Sequence, residues 1–363
     1  VELFRDQTNH RVLTSCKLTG SPEAVASYHT KEENYYFAQA SGVEALDSDG
    51  GAQGHVQIHG KLAQLLGFAP GATLSQQAFT NLLAGRDAEG NQVTRRHKVN
   101  GIDLTFSAPK SVSVAARLTV RDPRIVEAHD RAVLETMAEI ERHYAGTRPR
   151  ATERVKTDNM AYVTVRDGFN RDHDPHLHTH VVVANMTAYN GSILALDGQQ
   201  IMKRDFNKLW GAMYRAKLAA RLKELGYAVS YTKKGELRLD AVSLELERAF
   251  SGRRAEIQAK KKAGLRDMEA WRRTRKEKDA EVEKVDVLAG WRARAAGCAQ
   301  KTAEETRAET IKERDAWYRA AHWSLEARQE LAGERTETEV GRWQVAARRA
   351  TDRSAITVGR PRG

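Results

Sequence analysis

Cysteine is nearly absent from this chain: Cys16 and Cys298 are its only two in 363 residues. So few thiols, so far apart, exclude a disulfide framework or a zinc-knuckle set and fit a reducing, cytoplasmic setting. No run of about 18 apolar residues occurs, and no basic segment followed by an apolar one opens the chain, so neither a membrane span nor a secretory signal is expected. Fixed-period repeats of the solenoid kind are missing too. Acidic residues are the scarcer charge, 48 against 59 Lys and Arg, for a formal net charge of +11. That balance favours a polyanionic partner such as nucleic acid, although many basic proteins bind nothing anionic.

The length suffices for one large domain or two ordinary ones, each with a proper core. The chain begins at Val1 and ends in a basic Gly-Arg-Pro-Arg-Gly tail, which reads as a piece of something longer. Residues 1–250 mix β-branched strands, turns and amphipathic helices in the manner of a compact α+β domain. Residues 251–363 change character, being dominated by Lys, Arg, Glu and Ala with scattered Trp, and read as a charged helical extension with solvated faces.

Within the first region, 101–106 is expected to be a strand, with Ser107 and Pro109 opening a helix after it. A helix is expected over 124–144. An antiparallel hairpin follows, with strands at 160–166 and 177–185 joined by a long polar connection rich in turn residues. Residues 205–225 show helical spacing and stop at Gly226, before a second hairpin at 228–239.

The sharpest chemical signal is His176-Leu177-His178-Thr179-His180 running into Val181-Val182-Val183. Side chains alternate along a strand, so His178 and His180 share a face and can hold one metal ion between them; His176 has the same parity. Exposed strand histidines give the same pattern, but imidazoles at the edge of an apolar strand need partners, and a metal is an efficient one. A third ligand is expected from a neighbouring element. Asp167 is the first candidate, with His173 and His176 as alternatives, and a carboxylate in the set leans toward Mg²⁺ or Mn²⁺ while zinc or nickel stay open.

Three tyrosines, Tyr28, Tyr35 and Tyr36, lie in a short polar segment, Ser27-Tyr28-His29 to Asn34-Tyr35-Tyr36-Phe37. A tyrosine becomes an oxygen nucleophile when a base or metal assists loss of its proton, and aromatic clusters of this kind also serve as core or lid. Asp103, a carboxylate inside an apolar strand, faces away from Ile102 and Leu104. It either orients an imidazole at the metal site or caps the following turn.

The blocks Gly101-Ile102-Asp103-Leu104-Thr105-Phe106-Ser107-Ala108-Pro109-Lys110 and Asp174-Pro175-His176-Leu177-His178-Thr179-His180 resemble the signature blocks of the MobF, or TrwC/TraI-like, conjugative relaxases. The likeness covers residues 20–260. It implies a ferredoxin-like, split-palm α+β fold whose central antiparallel sheet, flanked by helices, carries the two-histidine strand. It also implies a reaction in which a tyrosine attacks a phosphodiester at a plasmid transfer origin, leaving a free 3′-OH and a 5′-phosphotyrosyl link. By position, Tyr28 matches the first nucleophile, Tyr35 or Tyr36 the second, and Asp103 the carboxylate that orients an active-site histidine. His178 and His180 match two of three metal-binding histidines. The third falls on Asp167, a departure that leaves room for a weakly catalytic DNA-binding homologue; a rolling-circle replication initiator is the other competing reading. The implied partners are single-stranded and plasmid-origin DNA, with other transfer proteins beside them. Members of the family usually continue into a helicase, whose Gly-x-x-x-x-Gly-Lys-Ser/Thr loop this sequence lacks. The charged extension is therefore expected to connect to a missing motor, or to bind DNA or transfer proteins. Its Trp271, Trp291, Trp317, Trp323 and Trp343 are expected to anchor helices to one another rather than to stack on bases.

Overall fold

The computed structural model describes residues 12–37, 56–95, 97–151, 153–170, 172–232, 235–266, 269–270, 273–274, 287–296 and 298. The elements run β1 (Leu13–Thr19), α1 (Pro22–Phe37), β2 (Gln57–His59), α2 (Lys61–Leu65), α3 (Gln76–Leu83), β3 (Val99–Ser107), α4 (Lys110–Val114) and α5 (Pro123–Tyr144). Then follow β4 (Gly146–Thr147), β5 (Val155–Lys156), β6 (Tyr162–Phe169), β7 (Pro175–Ala184), β8 (Thr187–Tyr189) and β9 (Ser192–Leu194). The described chain closes with α6 (Arg204–Glu224), β10 (Val229–Tyr231), β11 (Leu237–Leu239), α7 (Leu244–Ala249), α8 (Gly252–Lys262) and a helix at Val287–Ala295.

A five-stranded sheet in the order β1-β3-β7-β6-β2 organises these elements, and every neighbouring pair is antiparallel. The expected α+β architecture, a central antiparallel sheet with flanking helices, is what the structure shows. The β6–β7 hairpin, the long helices α5 and α6 and the β10–β11 hairpin lie where their periodicity places them. The helix after β3 opens differently from expectation. Ser107 stays in the strand, paired opposite His178, with its N–H donated to the Val12 carbonyl at 2.7 Å, and Pro109 occupies the cap without a side-chain bond.

Period-two alternation splits the strands between two cores. Leu104, Phe106, Val181 and Val183 pack with α5 and α6 residues such as Met137 and Tyr214 on one face. Leu18, Ile58, Val163 and Val182 pack with Ala26, Phe79 and Leu82 of α1 and α3 on the other. Each fully buried aliphatic side chain contributes about 1.5–3 kcal/mol, so a strand buried on both faces reads as a near-continuous β-branched run, as β7 does. Gly101 lets β3 close on β7, since a Cβ there would stand 2.3 Å from the Val183 carbonyl oxygen.

The α1 helix is set by its first turn. Ser21 caps it, accepting from Ala24 N at 3.1 Å, and Pro22 fills the first helical position, where no N–H is needed. Val25, Ala26, His29 and Thr30 are buried against the sheet, at the spacing that one face of a helix repeats.

Candidate metal and nucleophile site

His178 and His180 project from β7 on the α1 side of the sheet, the side of Val182 and Ala184. Their ring centroids are 5.3 Å apart, and His176 stands 4.7 Å from His178. Nδ1 of His180 lies 2.9 and 3.1 Å from the two carboxylate oxygens of Asp103 and 3.2 Å from the Thr105 hydroxyl. Nδ1 of His178 donates to the His176 carbonyl at 2.8 Å. Both rings thus commit Nδ1 to the protein and leave Nε2 as the nitrogen that can ligate. Asp103 points to this face, as its position between Ile102 and Leu104 requires, and its carboxylate lies against the His180 ring.

Asp167 is directly opposite His178 in the β6–β7 register, so its carboxylate belongs to the same face; the ladder slips just beyond it, between Asp167 and Phe169. Two bare imidazole nitrogens and one carboxylate suit a divalent cation in kind. Among the described residues, no three His, Cys, Asp or Glu side chains already stand as a metal-binding group. His173 lies in the connection before β7, in a left-handed backbone conformation with φ 57°, five residues from His178.

Tyr28 is 44% exposed on α1, with its ring edge-on to His29 at 5.2 Å. His29 is fully buried and its ring in turn meets that of His180 at 5.2 Å. One ring therefore separates Tyr28 from the His178–His180 pair. Tyr35 and Tyr36 are seven and eight residues further along the same helix, about 11 Å by helical rise; their side chains lie outside the described residues. Sequence alone assigns no role to His29. Its signal was helical register, since it follows Val25 by four positions and must face the sheet.

Charge at the site is sharply differentiated. Burial works against a charged His180, but the Asp103 carboxylate outweighs it and the pKa is raised. Burial likewise opposes the Asp103 carboxylate, yet His180, with His29 and His178 nearby, holds its pKa below the usual value. His178 is lowered by burial, against the pull of Asp167, and His176 is lowered well below 6.5 by burial, with His178 and Lys110 adding to it. A cation at these rings would displace the His180 proton.

Beneath the strand, on the other face, His129 is completely buried. Its Nδ1 lies 2.6 Å from the Tyr214 hydroxyl and its Nε2 2.8 Å from the hydroxyl of Thr179, the residue between the two metal-candidate histidines. The helix at Val287–Ala295 packs on this core through Trp291 and Ala295. Trp291 is thereby an anchor, as expected, while Trp271 and the later tryptophans lie outside the described residues.

This architecture is that of a relaxase. The chain belongs to the TrwC relaxase family, whose profile matches residues 22–298. The multifunctional conjugation protein TraI of Escherichia coli strain K12 is 34% identical over 250 residues, which are 64% of this chain and 13% of TraI. A second Escherichia coli TraI is 32% identical over 258 residues, 66% of this chain and 14% of that protein. The chain thus spans a small part of those relatives' length. Among solved structures, a copper-bound conjugative relaxase TrwC in complex with oriT DNA superposes with a TM-score of 0.68 at 30% identity, covering 80% of this chain and 99% of that one. TrwC complexed with a 27-mer DNA comprising the recognition hairpin and the cleavage site gives 0.65 at 29% identity, with the same coverage. No described helix is long and apolar enough to cross a membrane.

Proposed function

We propose that this chain is a metal-dependent DNA relaxase, a single-strand endonuclease and transesterase that nicks one strand at a plasmid transfer origin for conjugative transfer. The observation that carries the reading is the buried Asp103–His180 pair, beside His178 and one ring from Tyr28, in a fold shared with relaxases solved on origin DNA. The Tyr28 oxygen attacks phosphorus, the bond from phosphorus to the 3′ oxygen breaks, and that oxygen leaves as a 3′-OH with a proton. The Tyr28 proton departs to a base, and the 5′ phosphate stays on the tyrosine. One ester replaces another, so religation needs no ATP.

His178, His180 and Asp167 are the residues that would hold a divalent ion, Mg²⁺ or Mn²⁺ by the presence of the carboxylate, and TrwC itself has been solved with metal. Such an ion supplies Lewis-acid stabilisation of the phosphate's developing charge. Asp103 fixes the His180 ring and its Nδ1 proton, which is the orienting role of a carboxylate behind a ligating imidazole. Tyr35 and Tyr36 are the positions from which a second tyrosine would act on the same helix. A DNA-binding homologue with feeble chemistry is favoured by one observation, that no three described ligand side chains yet converge.

The test is cleavage of labelled single-stranded DNA spanning the transfer origin of the host plasmid, with Mg²⁺ or Mn²⁺ and then with EDTA. Wild type is expected to form an SDS-resistant adduct that EDTA suppresses and Tyr28→Phe abolishes. Survival of the adduct in Tyr28→Phe would move the nucleophile to Tyr35 or Tyr36, and its absence with every metal would favour the DNA-binding homologue.

A further inference from the structure

The connection between β6 and β7 is held from three sides, and one holder comes from more than a hundred residues away. Its own turn is closed by Asn170, whose side-chain oxygen accepts from the backbone N–H groups of Asp172 and Asp174 at 2.9 and 3.0 Å. From the start of α4, Lys110 Nζ donates to the Pro175 carbonyl at 2.7 Å. From outside, the helix at Val287–Ala295 grips the same loop. Trp291, 5% exposed, donates its indole N–H to the His173 carbonyl, and Arg294 sets Nη1 2.8 Å from the carboxylate of Asp174, whose side chain is 2% exposed. Arg294 also donates through Nη2 to the Ala249 carbonyl at 2.8 Å and lies over the Phe250 ring at 4.6 Å.

We infer that this helix is a clamp on the metal strand, with Arg294 and Trp291 as positioning residues that fix where β7 begins and so where His178 and His180 stand. Asp174 is four residues before His178. A strand tethered at the carbonyl of its first residue, Pro175, and at that of His173 just before it has little freedom to shift or fray, and imidazole ligands tolerate displacements of only a few tenths of an ångström. The fork of Arg294 suits the task, because a planar guanidinium can bind a carboxylate and a carbonyl at once while stacking on an aromatic ring; an ammonium cannot. The clamp ties the Val287–Ala295 helix, which reads in sequence as part of a solvated charged extension, to the chemistry on β7.

The metal consequence rests on the proposed relaxase reading, but the mechanical claim does not, and the two are separable by experiment. Amide hydrogen exchange and calorimetric Mn²⁺ binding are measured on the full chain for wild type, Arg294→Ala, Arg294→Lys and Trp291→Phe. The clamp predicts faster exchange across 172–180 in Arg294→Ala, including the Leu177 amide that donates to Ser113 Oγ, while α5 and α6 keep their protection. Arg294→Lys should restore it only partly. Mn²⁺ affinity should fall by about tenfold in Arg294→Ala, the scale of losing outer support around a ligand. Unchanged exchange at 172–180 in both Arg294→Ala and Trp291→Phe would overturn the clamp. Faster exchange with no Mn²⁺ binding even in wild type would leave the clamp standing and remove the metal reading. Should Arg294→Ala fail to fold, Arg294→Lys and Trp291→Phe carry the same comparison.

Discussion

Two histidines packed on opposite faces of β7, His129 fully buried and His180 mostly so, are treated in opposite ways. His129, below the strand, lies between two neutral hydroxyls, those of Tyr214 and Thr179, and burial together with the nearby Arg166 charge pushes its pKa well below 6.5. His180, above the strand and next in sequence to Thr179, faces a carboxylate and is raised. Hydroxyls satisfy an imidazole without charging it, whereas a carboxylate makes the charged form affordable in the same low dielectric. The lower face therefore reads as structure and the upper face as chemistry, although both carry polar groups that are almost completely buried.

The largest effect that would test this division is on stability. His129→Phe keeps the ring's bulk but leaves the Tyr214 and Thr179 hydroxyls buried without that partner, a loss of about 2–4 kcal/mol. Urea denaturation should show it, while cleavage per folded molecule stays near wild type. A cleavage defect as large as that of a site-face variant would dissolve the distinction. Next in size, Asp103→Asn should cut single-turnover nicking by about 10- to 100-fold and let the His180 pKa fall, followed by NMR titration, with a smaller change in urea midpoint. Retained nicking would mean that the carboxylate only secures the fold.

The smallest effect is a slope with pH in the chain stripped of metal by EDTA. His129, His176 and His178, with His59 and His97, have lowered folded pKa values. The unfolded chain therefore binds more protons than the folded one as pH drops below about 6.5, and stability falls on acidification, by up to about 1.4 kcal/mol per pH unit for each group. His180 runs the other way: its contribution is present below about 6.5 and is lost as pH rises through its raised folded value. Melting between pH 7.5 and 5.5 should show net acid destabilisation, made shallower by His129→Phe and steeper by Asp103→Asn. Identical slopes in the two variants would contradict the contrast between the faces.

Much of the upper face was legible in the sequence because strand parity is local. His178, His180 and Asp103 each follow from alternation within one strand, and Asp167 from the hairpin that pairs β6 with β7. What lay hidden depends on elements brought together from afar. His129 meets Thr179 across 50 residues of sequence, and its position in α5 reads as one more core site beside Ile125 and Ala132. His29 becomes part of the site only once α1 lies over the sheet. The 287–295 helix lies inside a stretch whose overall composition is that of solvated charged helices, and its role is visible only in its docking on Asp174 and His173 through Arg294 and Trp291.

The most direct test of the account is calorimetric titration of Mn²⁺ into wild type, His178→Ala, Asp167→Ala and His129→Phe. The account predicts one ion per chain in wild type and in folded His129→Phe, none in His178→Ala, and weakened binding in Asp167→Ala. Binding that persists unchanged in both His178→Ala and Asp167→Ala would contradict the placement of the metal on the upper face of β7.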